Sequence, residues 1–355
     1  MYSAEEIERI HIELTTRCNA ACPMCPRNVW GGTHDPRVPI AELSLADVHR
    51  MLSPAFLQQI RKISVCGNYG DPIIARDALE ILAYFRDSNP ALDIVMNTNG
   101  SARSTDWWTS IAGLITECQF GIDGLADTNH LYRRFTSWSV VMSSVEAFIA
   151  AGGNAAWEFI AFHHNEHQIE DARRLAYEMG FKRFRVRRTG RFLQRGRLHS
   201  SILVEDGTSG RGYLVEPPYE QSLGNSSTAE LVKIIACSAS GYDDYLNSTN
   251  IECKALGERG FYVSAEGLIF PCSFIGNVYQ SSTPDPYQVW NLINETGGRE
   301  AIDARRNSIK SILSGPFFQA VPSSWSRSIV AEGRLAVCSS SCGSCNSRRG
   351  QHQTL

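Results

Sequence analysis

Three cysteines, Cys18, Cys22 and Cys25, lie within eight residues, separated by three and then by two positions. Thiolates at that spacing can hold three irons of a [4Fe–4S] cube and leave the fourth iron open. Two plainer readings compete, a structural zinc site and scattered core cysteines. Zinc sites usually show paired C-x-x-C units that supply four ligands, and this group offers three. A second set follows far downstream. Cys253 and Cys272 bracket the apolar run 261–271, and Cys338, Cys342 and Cys345 come later. Two cysteines at the ends of a hairpin plus a distant C-x-x-C can surround a metal centre with four thiolates, and the ligands alone leave zinc and [4Fe–4S] both open. Cys66, Cys118 and Cys237 read as buried or structural residues.

These groups need elements to place them. Residues 10–14 alternate Ile10, Ile12 and Leu14 against His11 and Glu13, the pattern of a strand, so the first cysteines sit on the loop leaving its C-terminal end. Downstream the sequence predicts helix 43–60 with Ser44 as N-cap, strand 62–67, helix 77–87, strand 93–99 and helix 105–116. Strand 119–123, helix 139–151, strand 155–162 and strand 184–188 follow. Asn165 and Gln168 read as a capping box opening a helix that runs to Met179 and closes at Gly180. Six alternating strand and helix units predict a parallel sheet. Six fall short of a closed eight-unit barrel, so an open, curved α/β barrel is expected, with its chemistry at the C-terminal ends of the strands. After Gly190 the pattern changes. Residues 191–236 read as a linker or substrate-covering segment, and 237–355 as a second cysteine-bearing region with a hairpin turning at Glu266–Gly267.

Composition narrows the class. The chain has 355 residues, enough for a barrel and an extension, and a formal net charge of −3, which gives no pull towards nucleic acid or an anionic membrane. No apolar run approaches a membrane span, and no signal peptide is recognised. Eleven cysteines without an export signal read as metal ligands in a reducing cytoplasm, the expected location.

The Cys18-x-x-x-Cys22-x-x-Cys25 motif after a first strand resembles the signature of the radical S-adenosylmethionine (radical SAM) enzymes. The resemblance covers about residues 7–189 and implies a partial (β/α)6 TIM barrel that binds one [4Fe–4S] cluster and S-adenosylmethionine. Met24 stands where the family usually carries an aromatic residue near the adenine. Gly70-Asp71-Pro72 resembles the GGEP motif that holds the methionine amino group, with Asp71 in place of glutamate. Asn97 and Asn99, flanking Thr98 at the end of the third strand, are candidate ligand contacts, although Asn99-Gly100 is also a strong turn pair. Gly121-Ile122-Asp123-Gly124 resembles the SxDG element, with Gly121 replacing serine. Arg133 stands where related enzymes bind the methionine carboxylate, with Arg134 as fallback, and Val186 is a candidate adenine contact. The histidines of 163–167 straddle a strand end and a cap and are expected to diverge.

The Cys253…Gly267…Cys272 pattern resembles the opening of a SPASM or twitch domain, the auxiliary-cluster extension of that family. It implies one auxiliary [4Fe–4S] cluster, with Cys253, Cys272, Cys342 and Cys345 as ligands and Cys338 as the alternate. A rival assembly uses Cys338, Cys342 and Cys345 with an open iron. The resemblance further implies reductive cleavage of S-adenosylmethionine to a 5′-deoxyadenosyl radical, fed by a flavodoxin- or ferredoxin-type reductant, and hydrogen abstraction from a ribosomally made peptide. Crosslinking, epimerisation and splicing to a β-amino acid all stay open, and a separate leader-peptide-binding partner is expected. Two rivals remain: a radical dehydrogenase of sugars or aminocyclitols, and a non-enzymatic zinc-binding interaction protein.

Overall fold

The computed structural model describes residues 1–29, 32–205, 212–237, 241–279 and 286–344. Its centre is an α/β unit. Strand β1 (Arg9–Ile12) is followed by α1 (Leu45–Met51), α2 (Pro54–Leu57), β2 (Lys62–Val65), α3 (Ala78–Ser88), β3 (Asp93–Thr98) and α4 (Thr105–Ile111). Then come β4 (Glu117–Gly121), α5 (Trp138–Ala150), β5 (Ala155–Ile160), α6 (Ile169–Met179) and β6 (Arg183–Arg187). The six strands pair in parallel and in chain order, with Ile12 beside Val65, Val65 beside Met96 and Thr98 beside Phe120.

The sheet extends beyond the expected six strands. Strand β7 (Gly260–Val263) pairs in parallel with β1, Ile10 beside Phe261, and β8 (Ile269–Phe270) pairs antiparallel with β7. The order is β8-β7-β1-β2-β3-β4-β5-β6, eight strands in all. The hairpin of the cysteine-bearing C-terminal region is therefore built into the barrel sheet. Its turn is the expected one: Gly267 takes a positive φ of 76°, which glycine adopts without a Cβ penalty.

Alternation divides each strand between two faces. Ile10 and Ile12, Ile63 and Val65, Ile94 and Met96, Cys118 and Phe120, Trp157 and Phe159 all join one buried core with helical residues such as Ile81, Leu82 and Phe85. The opposite face is polar. Asn97 Nδ2 donates to Gln119 Oε1 at 2.8 Å, Gln119 Nε2 donates to Glu117 Oε1 at 2.7 Å, and Arg185 and Arg187 pair with Glu158. The parallel strands thus carry a hydrophobic outer layer and a hydrogen-bonded lumen.

Two expected helices differ. The helix over 43–60 breaks into α1 and α2, because the residue before Pro54 is driven to extended backbone. Ser53 takes that conformation and caps α2, accepting from Phe56 N–H at 3.3 Å. Ser44 does cap α1, with Asp47 completing the capping box. Asn165 and Gln168 form no capping box. The Asn165 amide instead joins Asp123 O and Ile160 O at 2.9 Å each, stapling the ends of two strands, and a 3-10 turn precedes α6. Among the described residues no helix is long and apolar enough to cross a membrane.

Glu13, just past β1, is 1% exposed. Its Oε1 accepts from the backbone N–H of Tyr69 at 2.7 Å and of Gly70 at 2.8 Å, and Tyr262 Oη of β7 donates to Oε2. Burial pushes this carboxyl up to about 7, against hydrogen bonds that lower it. The native state therefore keeps a proton that the unfolded chain gives up near pH 4.5, and stability from this source is lost as pH rises through 7. Wild type is expected to lose up to about 3 kcal/mol relative to Glu13→Gln between pH 4.5 and pH 8. Paired denaturant titrations across that range check this, and parallel pH curves for the two proteins would contradict it.

Candidate metal and cofactor site

Cys18, Cys22 and Cys25 are free thiols on the loop that leaves β1. Cys25 N–H donates to Cys22 O at 3.1 Å, which curls the loop, and Asn19 Nδ2 anchors it to Ser101 O at 2.8 Å. Burial raises all three thiols, Cys22 to about 11. A thiol raised in this way stays protonated at neutral pH unless a positive charge compensates it, and a bound metal supplies that charge.

Several donors face the sulfurs. Ala20 N–H reaches Cys18 Sγ at 3.4 Å, Asn99 Nδ2 reaches the same sulfur at 3.7 Å, and Arg133 Nη1 reaches Cys22 Sγ at 3.9 Å. Among the described residues no group of three His, Cys, Asp or Glu side chains is close enough to hold a single metal ion. A cube does not require one, because each thiolate meets a different iron. The donor chemistry, three uncrosslinked thiols with N–H groups aimed at sulfur, fits the cube and leaves one iron without a protein ligand.

Asp71 sits beneath this loop, buried, and that burial raises its carboxyl. Its Oδ1 accepts from Thr98 Oγ1 at 2.8 Å and Ile73 N–H at 3.2 Å. Its Oδ2 accepts from the backbone and side-chain N–H groups of Asn99, both at 2.7 Å. A carboxylate offers about four acceptor positions, and all are occupied. In this arrangement Asp71 orients Asn99, whose amide in turn meets Asn19 Oδ1 at 2.9 Å and Cys18. Asn97 is turned into the lumen ladder with Gln119. Gly70 lies against the chain at Thr15, where a Cβ would overlap the Thr15 carbonyl.

Arg133 donates from Nε to Asp123 Oδ2 at 2.7 Å, and Ile160 N–H donates to Asp123 Oδ1 at 2.6 Å. Asp123 is 0% exposed. Gly121 explains its own departure from the resembled pattern: a Cβ there would collide with Arg133 Nη2. A glycine at 121 is what lets this guanidinium lie across the strand end. Met24 packs at the edge of an apolar cluster with Ala20, Cys22, Tyr132 and Phe162.

Val186 is a correction. It shares the strand face of Phe184, which packs on Trp157 and Phe159, and it lies against the helical core. Its neighbours Arg185 and Arg187 occupy the lumen face, so strand parity carries Val186 away from the adenine position that the sequence suggested. The histidines diverge: His163 stacks on Tyr219, His164 stacks on Phe162, and His167 is exposed.

The segment after β6 covers the cysteine loop. Phe192, Val204 and Val215 join the apolar cluster around Ala20 and Cys22, and Tyr213 Oη donates to Leu131 O at 2.6 Å. Sequence reasoning missed these residues, because a short two-stranded lid leaves little periodic signal.

In the C-terminal region, α7 (Ala336–Cys342) presents Cys338 and Cys342 one turn apart, on one face of the helix. Burial, followed by the nearby Cys272, Cys342 and Cys253 thiols, raises Cys338. Burial likewise lifts Cys272 to about 12, with Cys342 and Cys253 adding to it. Cys253, Cys272, Cys338 and Cys342 thus lie within electrostatic reach of one another, although among the described residues no three His, Cys, Asp or Glu side chains come close enough to hold a single metal ion. Cys345 and the side chain of Cys237 lie outside the described residues. Trp325 Nε1 is buried without a hydrogen-bond partner by normal geometry, and it is the side-chain donor facing Cys338. A sulfur carrying negative charge would satisfy that orphaned donor, which fits thiolate ligation at Cys338.

Comparison with known proteins supports the radical SAM superfamily. No protein-family model matches the chain. A probable GTP 3′,8-cyclase of Methanopyrus kandleri is 30% identical over 156 residues, 41% of this chain and 45% of that protein. The FeMo cofactor biosynthesis protein NifB of Methanocaldococcus jannaschii is 30% identical over 100 residues, 27% of this chain and 33% of that protein. The chain thus spans less than half the length of these curated relatives. In fold it is similar to a histidine-tagged form of anSMEcpe with bound AdoMet, at a TM-score of 0.54 and 13% identity, covering 95% of this chain and 86% of that one. Native anSMEcpe with bound AdoMet and the Cp18Cys peptide gives a TM-score of 0.51 at 13% identity, covering 94% and 89%.

The Gly121–Arg133 contact yields a prediction. Gly121→Ala is expected to cost about 1–3 kcal/mol by overpacking, and Arg133→Ala about 3 kcal/mol by leaving Asp123 buried without its cation. The double variant should be no less stable than Arg133→Ala alone, because the clash disappears with the guanidinium. Denaturant unfolding of the three variants checks this, and full additivity would contradict the contact.

Proposed function

We propose that the chain is a radical SAM enzyme that abstracts hydrogen from a ribosomally made peptide, with a second, auxiliary [4Fe–4S] site in its C-terminal region. One observation carries the reading. Three free thiols lie on a single loop at the C-terminal end of a parallel sheet, with the Asn99 amide and the Arg133 guanidinium directed at their sulfurs. When bound, the cluster and S-adenosylmethionine supply one-electron cleavage of the C5′–S bond, fed by a flavodoxin- or ferredoxin-type reductant, and a radical that takes a hydrogen atom.

The chain's own residues do the positioning. Cys18, Cys22 and Cys25 would hold three irons of the cluster. Arg133, with its Nη atoms left outside the Asp123 bond, offers a planar fork to the methionine carboxylate. Asn99, fixed by Asp71, presents its amide next to Cys18. The lid carrying Phe192, Val204 and Val215 shields the cysteine loop from water. Cys253, Cys272, Cys338 and Cys342 would hold the auxiliary cluster, with Cys345 as the alternate fourth ligand.

A peptide substrate draws support from the likeness to anSMEcpe, whose solved form carries a peptide, and a leader-binding partner protein would deliver it. A second reading is a small polar substrate, such as a sugar or aminocyclitol. It rests on the charged lumen of Glu158, Arg185 and Arg187, which suits hydroxyl and amino groups.

Anaerobically purified protein is expected to carry about eight irons, and replacement of Cys18, Cys22 and Cys25 by Ala to remove about half. With a low-potential reductant, the intact protein should convert S-adenosylmethionine to 5′-deoxyadenosine and methionine. Zinc without iron would overturn the reading. Mass spectrometry of a genomically neighbouring peptide co-expressed with the protein separates the substrate classes. An unmodified peptide together with oxidation of an aminocyclitol would transfer the assignment to the second reading.

A further inference from the structure

We infer that Glu13 and the loop Asn68–Gly70 form a positioning device that ties the S-adenosylmethionine pocket to the C-terminal cysteine region, so that the state of one region sets the affinity of the other. This deepens the function proposed above and rests on it.

Three separate bonds cross between the two regions at this loop. Glu13 accepts from the N–H groups of Tyr69 and Gly70 with one oxygen and from Tyr262 Oη of β7 with the other. Asn68 Nδ2 donates to Ser273 O at 2.9 Å, one residue after Cys272. Tyr279 N–H donates to Tyr69 Oη at 3.1 Å, and the two tyrosine rings lie 5.8 Å apart. In sequence these partners are separated by 249, 205 and 210 positions.

The loop has little freedom to absorb a movement. At Gly67 a Cβ would overlap the Glu13 carboxylate, and at Gly70 it would overlap the Thr15 carbonyl. Asp71 N–H donates to Arg17 O at 2.9 Å, which places the loop against the residue before Cys18. Among the described residues the buried Glu13 carboxylate meets no cation; its stabilisation comes from the loop amides and Tyr262. Loss of Tyr262 would leave Oε2 of the carboxyl that holds the Tyr69 and Gly70 amides without its partner, and loss of the Ser273 contact would free Asn68 beside them; either loosens the backbone that leads to Asp71 and Asn99. Packed elements with two discrete arrangements transmit such changes, and the coupling acts reciprocally on binding free energies.

The test uses the reconstituted full-length protein, with iron at the N-terminal cluster quantified in every variant. Dissociation constants for S-adenosylmethionine are measured by equilibrium dialysis for wild type, Asn68→Ala, Tyr262→Phe, Cys272→Ala and the double variant Asn68→Ala/Cys272→Ala. Each single change is expected to weaken binding about fivefold to twentyfold, and the double variant to fall well short of the product. Glu13→Gln, which keeps an acceptor for the two amides, should bind more tightly than Glu13→Ala. Wild-type affinity in Tyr262→Phe and Cys272→Ala would overturn the inference.

Amide hydrogen exchange of the same proteins separates this from a failure of the function. Tyr69 and Gly70 should exchange about tenfold faster in Tyr262→Phe and Cys272→Ala, while Ile94 in the central sheet stays at its wild-type rate. If wild type binds no S-adenosylmethionine, the functional reading fails, and the exchange result alone decides whether the loop is coupled. Unchanged exchange at Tyr69 and Gly70 sinks the coupling.

Discussion

A buried carboxyl without a counter-cation is driven towards its neutral form and needs hydrogen-bond partners in either state, and Glu13 draws those partners from two distant parts of the chain. Two of its partners are loop amides following β2, and the third is a tyrosine from a strand 249 positions downstream. The cysteine loop, the Gly70–Asp71 turn and the C-terminal hairpin consequently share one anchor. Asp71 extends the chain of fixed groups to Asn99, and Asn99 to Asn19 and Cys18. The mouth of the sheet is a connected polar network over a hydrophobic outer layer, an arrangement in which each member holds the geometry of the next.

The parts of the fold that were legible in the sequence are those with local causes. The first strand announced itself by alternation and the other five by short apolar runs between helices, Gly180 closed α6 in the left-handed region, and Gly267 turned the hairpin. Where a residue's role is decided by tertiary partners, reading failed. Asn165 has the composition of a cap, but it bonds to the ends of two strands. Proline divided the helix over 43–60 because Ser53 had a better use as a cap. The hairpin's parallel pairing with β1 was invisible, since nothing in residues 260–263 encodes a partner at residues 9–12.

The site shows the same division. Spacing alone singled out Cys18, Cys22 and Cys25, whereas the downstream cysteines come from separate segments, and only the fold brings Cys338 within electrostatic reach of Cys253, Cys272 and Cys342. Glu13 went unremarked because it reads as the polar side of a strand. Val186 was misplaced by one position of parity, the smallest error a strand allows and one that sends a side chain to the opposite face. Gly121 departed from the resembled pattern for a steric reason that only the position of Arg133 reveals.

The central claim is that the loop of Cys18, Cys22 and Cys25 holds a cluster with one iron open to S-adenosylmethionine. Electron paramagnetic resonance of the reduced protein, with Cys253, Cys272, Cys338 and Cys342 replaced by Ala so that only this cluster remains, tests it most directly. The account predicts a [4Fe–4S]+ signal whose g-values shift when S-adenosylmethionine is added at a concentration that saturates this variant. A signal left unchanged by S-adenosylmethionine raised about a hundredfold above the wild-type dissociation constant, in protein whose iron content shows a complete cluster, would contradict it.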